Sequence, residues 1–150
     1  MTETVTRIEY TLPVNDPVAE DRVQLSRDEL WTGLVAKATD PRPYVPAITE
    51  CTVLSENPQG LVREIARDGD RFRETVVFDI GHRVSFRRED EKAVWTIDNV
   101  IDEDPTGALT LTFSGAFERE FAPSRLAAMR ASMAETAART LAVIRESAAA

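Results

Sequence analysis

Apolar and polar residues alternate with a period of two along most of this chain, and with a helical period in only two places. In Thr4–Leu12, Ile8, Tyr10 and Leu12 alternate with Arg7, Glu9 and Thr11, which predicts a strand with one wet face. Pro13 to Asp21 reads as a loop, broken by Pro13, Asn15, Asp16 and Pro17. Ser26 with Glu29 three residues on makes a capping box, and Leu25 with Leu30 makes the flanking hydrophobic staple, so a helix begins there. Its apolar stripe is Leu30, Trp31, Leu34, Val35 and Ala38. The prolines Pro41, Pro43 and Pro46 then forbid a long second helix and allow one short turn opened by Asp40-Pro41.

From Ala47 to Phe121 the period is two throughout. The predicted strands are Thr49–Ser55, Leu61–Arg67, Arg71–Ile80, Arg83–Arg87, Ala93–Asp102 and Ala108–Glu120. Asn57-Pro58-Gln59-Gly60 is a turn with proline at its second position, and Asp68-Gly69 is a two-residue hairpin signal. Every connection is short enough for antiparallel neighbours, so the sheet is a meander. The run Arg87–Lys92 reads as a solvated hairpin end. The final element is a helix from about Pro123 to Ser147, roughly 37 Å long at the usual rise per residue. Leu126, Met129, Met133, Ala137, Leu141 and Ile144 give it a single apolar stripe, so it needs a surface to lie on.

Composition narrows the function. The 150 residues amount to one domain, residues 1–150, with no internal repeat. A net charge of −8 argues against nucleic acid and anionic membrane as partners. One cysteine, Cys51, and one histidine, His82, cannot build a disulfide or a zinc site, and no cofactor is implied. Asp102-Glu103-Asp104 lacks the ligand spacing of a calcium loop. No signal-peptide pattern opens the chain and no stretch is long and apolar enough to span a bilayer, so a cytoplasmic protein is expected.

The expected class is α+β: a curved seven-stranded antiparallel sheet that must curl to close over one long C-terminal helix. Curling leaves space where helix and sheet do not meet. The helix offers small residues, such as Ala127, Ala128, Ala131 and Ala134, and the sheet offers aromatic ones. The order of elements resembles the START and birch-pollen-allergen superfamily with its helix-grip fold, in the order β-α-α-β6-α. The finer resemblance is to its AtaL-like branch. It is carried by Leu25-Ser26-Arg27-Asp28-Glu29-Leu30-Trp31-Thr32-Gly33-Leu34, by Asp40-Pro41 and Tyr44-Val45-Pro46, by Arg73-Glu74 before Val76, and by Asn99 with Ile101-Asp102-Glu103-Asp104. The likeness extends to about Glu120. The alanine-rich last helix departs from it, having no tyrosine or tryptophan. The resemblance implies a deep, mostly apolar cavity, which superfamily members use for lipids, sterols, hormones or polyketides and a few use for cyclisation or dehydration.

The candidate chemistry is sparse. Alternation puts Glu74 on the face of Phe72, Val76 and Phe78, where a carboxylate is costly unless paired. It is either a proton-transfer group or the partner of an inward arginine such as Arg63. Asn99 shares a face with Trp95, Ile97 and Ile101 and could orient a carbonyl or hydroxyl, or bond a buried water. The candidate ligand-lining residues are Tyr10, Phe72, Phe78, Phe86, Trp95, Phe113, Phe117, Met129 and Met133. His82 reads as a surface turn residue and Cys51 as a small core hydrophobe. Three functions compete. The first is binding of a small apolar or aromatic molecule in the cavity. The second is a polyketide cyclase or dehydratase using Glu74 and Asn99. The third is assembly, such as a homodimer through a sheet edge or the helix. The first accounts best for the missing catalytic motifs.

Overall fold

The computed structural model describes residues 4–16 and 23–149. The elements run β1 (Thr6–Pro13), α1 (Arg27–Thr39), β2 (Ile48–Asn57), β3 (Gly60–Arg67), β4 (Asp70–Asp79), β5 (Arg83–Glu89), β6 (Val94–Glu103), β7 (Leu109–Phe117) and α2 (Pro123–Ala149). The end of the expected first loop falls outside the described residues. Seven strands form one antiparallel sheet in the order β1-β7-β6-β5-β4-β3-β2, so the meander from β2 to β7 is intact and β1 adds to its far edge. The sheet's open edges are therefore β1 and β2.

The local signals act as chemistry requires. The Ser26 hydroxyl accepts from the Glu29 amide at 3.1 Å, and the Glu29 carboxylate accepts from the Ser26 amide at 3.0 Å. The box satisfies two donors that an uncapped helix would leave open. Asp68 and Gly69, at φ 51° and 78°, turn β3 back onto β4 with Arg67 opposite Asp70. Both central residues of that turn need a positive φ, which Asp-Gly supplies at low cost. The second helix implied by the family order is reduced here to a single turn. The Tyr44 and Val45 amides both donate to the Pro41 carbonyl, and the prolines stop the chain from coiling further.

The main core lies between α1, the C-terminal half of α2 and the middle of the sheet. Leu30, Leu34 and Ala38 of α1 meet Ala137, Leu141 and Ile144 of α2 over Val84, Ile101 and Leu111, all buried. Each of the leucine, isoleucine and valine side chains among them contributes roughly 1.5–3 kcal/mol on leaving water. The helices come close because Gly33 has no side chain: a Cβ there would sit 2.4 Å from Ile144 Cγ1. Arg145 donates to the Val14 carbonyl and ties the end of α2 to the end of β1. A second, smaller cluster joins Ile48, Ile65 and Phe72 at the other end of the sheet. Between the two clusters the N-terminal half of α2 stands off the sheet, and its Ala127, Ala128, Ala131 and Ser132 remain exposed.

Candidate functional site: a cavity with a cationic inner end

The gap under the N-terminal half of α2 is a cavity of about 640 Å³. That is the size of a site for a small organic molecule. The sheet contributes Phe72, Phe86, Trp95, Phe113 and Phe117 to its wall, and α2 contributes Met129 and Met133, all seven from the sequence reading. Glu74 and Asn99 line the same space. Two candidates lie elsewhere. Phe78 packs edge-on against Trp31, with ring centroids 6.0 Å apart, at the main-core end of β4. Tyr10 sits opposite Phe113 on the edge strand β1, is 38% exposed, and lies outside the lining. Alternation assigns a side chain to a face of the sheet. It does not say how far along the strand the helix covers that face.

A cluster of buried polar groups, Lys37, Arg63, Glu74 and Asn99, sits at one end. Glu74 and Arg63 are neighbours across β3 and β4, and both are buried. Arg63 Nη2 and Nε donate to Glu74 Oε1 at 2.8 and 3.1 Å. Arg63 Nη1 donates to the Ala38 and Lys37 carbonyls at 2.8 and 3.3 Å, so the same guanidinium closes the C-terminal end of α1. The other Glu74 oxygen accepts from the Trp95 indole at 3.2 Å. The carboxylate thus enters a low-dielectric site with both oxygens engaged, which is the condition for burying a charge at tolerable cost.

Lys37 was not among the residues singled out from the sequence, and it is the most unusual group in the site. It is 6% exposed and its Nζ donates to Asn99 Oδ1 at 2.7 Å. The ammonium lies between the faces of Phe86 and Phe113, 4.8 and 4.7 Å from the ring centroids. Burial, with a further push from the Arg63 charge and a smaller opposing pull from Glu74, lowers its pKa from 10.5 to about 7. A signal existed. Lys37 falls three residues after Leu34 and seven after Leu30, on the stripe those residues define. Asn99 is fully buried, and among the described residues its Nδ2 has no hydrogen-bond partner.

Arg88 corrects a second expectation. The run Arg87–Lys92 was expected to be wholly solvated, but Arg88 is buried and lines the cavity. It continues the inward alternation of Val84 and Phe86, and its guanidinium stacks on Phe72 at 4.2 Å and Trp95 at 5.0 Å. Asp70 and Asp90 pair with it at 2.9 and 2.7 Å. Its hydrogen bond holds the Asp90 carboxyl down at about 2. The remaining candidates keep to bland roles. His82 is exposed, with Nδ1 3.1 Å from the Ile101 carbonyl. Cys51 is half-buried against the smaller cluster. Among the described residues no group of His, Cys, Asp and Glu is arranged to hold a metal ion, and no helix is long and apolar enough to cross a membrane.

A curved antiparallel sheet gripping a long terminal helix, with a hollow between them, defines the helix-grip class shared by START-like proteins and birch-pollen-type allergens. Solved structures agree. The Zhui aromatase/cyclase from a Streptomyces species superposes with a TM-score of 0.66 at 12% identity, covering 97% of this chain and 94% of that one. The di-domain aromatase/cyclase StfQ of the steffimycin pathway gives 0.63 at 13% identity, covering 95% of this chain and 50% of its own. Ara h 8.0201 gives 0.57 at 11% identity, covering 94% and 98%. At such identities the likeness establishes the fold alone. The family itself is set by a closer match: the AtaL family, described as acetylaranotin biosynthesis cluster protein L, matches residues 8–150, and the chain belongs to it. No curated protein matches the sequence.

Proposed function

We propose that this protein binds a small, flat, apolar or aromatic molecule in the cavity between the sheet and α2. The observation that carries this reading is the shape and chemistry of the hollow: about 640 Å³, walled by Phe72, Phe86, Trp95, Phe113 and Phe117, with the buried polar groups Lys37, Arg63, Glu74 and Asn99 gathered at one end. Aromatic walls supply area without much lost side-chain freedom, and a few fixed polar groups orient the guest. Met129 and Met133 form the adaptable side of the pocket, since thioether chains repack around guests of different outline. The fold neighbours named as aromatase/cyclases are compatible with such a guest.

The test is titration of an uncharged fused-ring probe, the methyl ether of umbelliferone, followed through tryptophan fluorescence. Saturable binding to the native chain is expected. Ala128→Trp, on the exposed cavity side of α2, should weaken binding at least about tenfold. Equal binding to both forms would overturn the reading.

A second reading, an enzyme of the polyketide cyclase type, is favoured by Asn99, whose spare donor meets no acceptor among the described residues. In that reading Asn99 polarises a ligand carbonyl and Glu74 exchanges a proton. Glu74 would act through Oε2, held by one neutral donor, Trp95. Turnover of a linear triketone to an aromatic product by the native chain, lost in Glu74→Gln and in Asn99→Leu, would support it. Absence of turnover with retained binding would leave the first reading alone.

A further inference from the structure

Charge balance at the inner end of the cavity is incomplete. The charged groups around Lys37 are Arg63 on β3 and Glu74 on β4. The other strands there present neutral groups: Phe86 on β5, Asn99 on β6 and Phe113 on β7. α2 adds the neutral Thr136 and the exposed Arg125 to the same cavity wall, Arg67 pairs with Asp68, and Arg88 pairs with Asp70 and Asp90. Glu74 is taken up by Arg63. Among the described residues no carboxylate makes an ion pair with Lys37, although it is 6% exposed. A buried ammonium without a counter-charge is strongly disfavoured. Beside it, the Asn99 oxygen accepts from Lys37, and its Nδ2 has no partner among the described residues. One missing anion and one unused neutral donor therefore meet at a single point of the wall.

We propose that Lys37 and Asn99 form a two-donor site for an acidic hydroxyl of the cavity ligand, a phenol or the enol of a β-dicarbonyl, which is held there as its oxyanion. The proposal rests on the cavity reading above and names the chemical class of the guest. On binding, the ligand O–H bond breaks; its proton goes to the Lys37 amine where that is unprotonated, and out to solvent where Lys37 is already an ammonium, giving the same ammonium–oxyanion pair. Asn99 Nδ2 donates the second hydrogen bond to the oxygen. The aromatic walls exclude water and strengthen both contacts. A carboxylate guest would meet the same two donors but would bring its charge into the cavity from solution, whereas a phenol or enol crosses the apolar wall neutral and ionises at the site.

Lys37 is poised for that exchange, because its pKa of about 7 leaves it partly unprotonated near neutrality. The pair forms best between the ligand's own pKa and that of Lys37. Below this interval a proton must be expelled on binding, and above it one must be taken up, so affinity is bell-shaped in pH.

Umbelliferone tests this, since its phenol and phenolate absorb at different wavelengths and its methyl ether cannot ionise. The native chain should bind umbelliferone with the phenolate band dominant at about pH 6, where the free probe is mainly neutral. It should prefer umbelliferone to the ether by about tenfold or more, the scale of a hydrogen bond to a charged group. In Lys37→Met, which keeps the side-chain length, the preference for umbelliferone over the ether should be lost, and any umbelliferone bound should show the neutral-phenol band. A neutral phenol on the native chain would overturn the proposal even if no variant folded. Equal affinity of the native chain for both probes would also overturn it, while leaving the cavity reading in place. Failure of both probes to bind would overturn the cavity reading, and the proposal with it.

Discussion

The two halves of α2 lie on the same sheet but do different things. From Ala137 to Ile144 the helix is pressed into the core, with Ala137, Thr140, Leu141 and Ile144 buried. From Arg125 to Thr136 it bridges a cavity, and no residue of that stretch is fully buried. The helix sequence alone does not account for the difference, since both halves carry alanines and an apolar stripe. What changes is the surface opposite. Gly33 lets Ile144 come down onto α1. Further along, large rings from β4 to β7 and the buried Lys37–Asn99 and Arg63–Glu74 pairs hold the other half off. Packing is thus concentrated at one end of the helix and open space at the other, a division also seen where mobile elements are drawn from the less tightly packed parts of folds.

The sharpest way to break this comparison is to disturb the polar cluster, which lines the cavity end yet is buried. Arg63→Met leaves Glu74 charged and uncompensated, and should cost about 3–5 kcal/mol in chemical denaturation. A loss under about 1 kcal/mol would mean the pair is solvated. The helix halves come next. Leu141→Ala should cost about 2–5 kcal/mol, while Met129→Ala, against open space, should cost less than about 1 kcal/mol. Similar losses at both positions would dissolve the contrast. Gly33→Ala gains helix propensity worth about 1 kcal/mol, but its Cβ would collide with the branched Ile144 side chain. Overpacking of about 1–3 kcal/mol should win, lowering Tm and not raising it.

Much of this architecture was legible along the chain. Ser26 and Glu29 marked the first helix, Asp68-Gly69 fixed a hairpin, and the alternation through Phe72, Glu74 and Val76 placed Glu74 inside beside Arg63. These signals are local, or depend only on the two-residue period. The misses share one cause. Lys37 sits on the apolar stripe of α1 and Arg88 on the inward phase of β5, but both are charged. Their burial depends on what long-range packing provides: two phenylalanine faces and Asn99 for Lys37, Phe72 and Trp95 for Arg88. Tyr10 and Phe78 were assigned to the right sheet face, but at positions the cavity does not reach, because no period encodes where a helix crosses a sheet.

A pH-dependent effect sharpens the electrostatic side of the comparison. The folded-state pKa of Lys37 lies at about 7, below its ordinary 10.5. Between those values the unfolded chain binds the extra proton, so this group makes stability rise with pH from about 7 upward, with its penalty fully present at lower pH. Lys37→Met should remove that slope. Denaturation midpoints of the two proteins should then converge between about pH 7 and 10, with the variant the more stable at the acid end. Parallel curves would mean that Lys37 titrates as an exposed lysine.

The central claim is that the first half of α2 roofs a space a guest can enter while the second half does not. Methyl NMR during titration with the methyl ether of umbelliferone reads this directly. The account expects saturable shifts of the Met129 and Met133 methyl signals, with those of Leu141 and Ile144 unmoved. Unmoved methionine methyls at saturating probe, or shifts centred on Leu141 and Ile144, would contradict it.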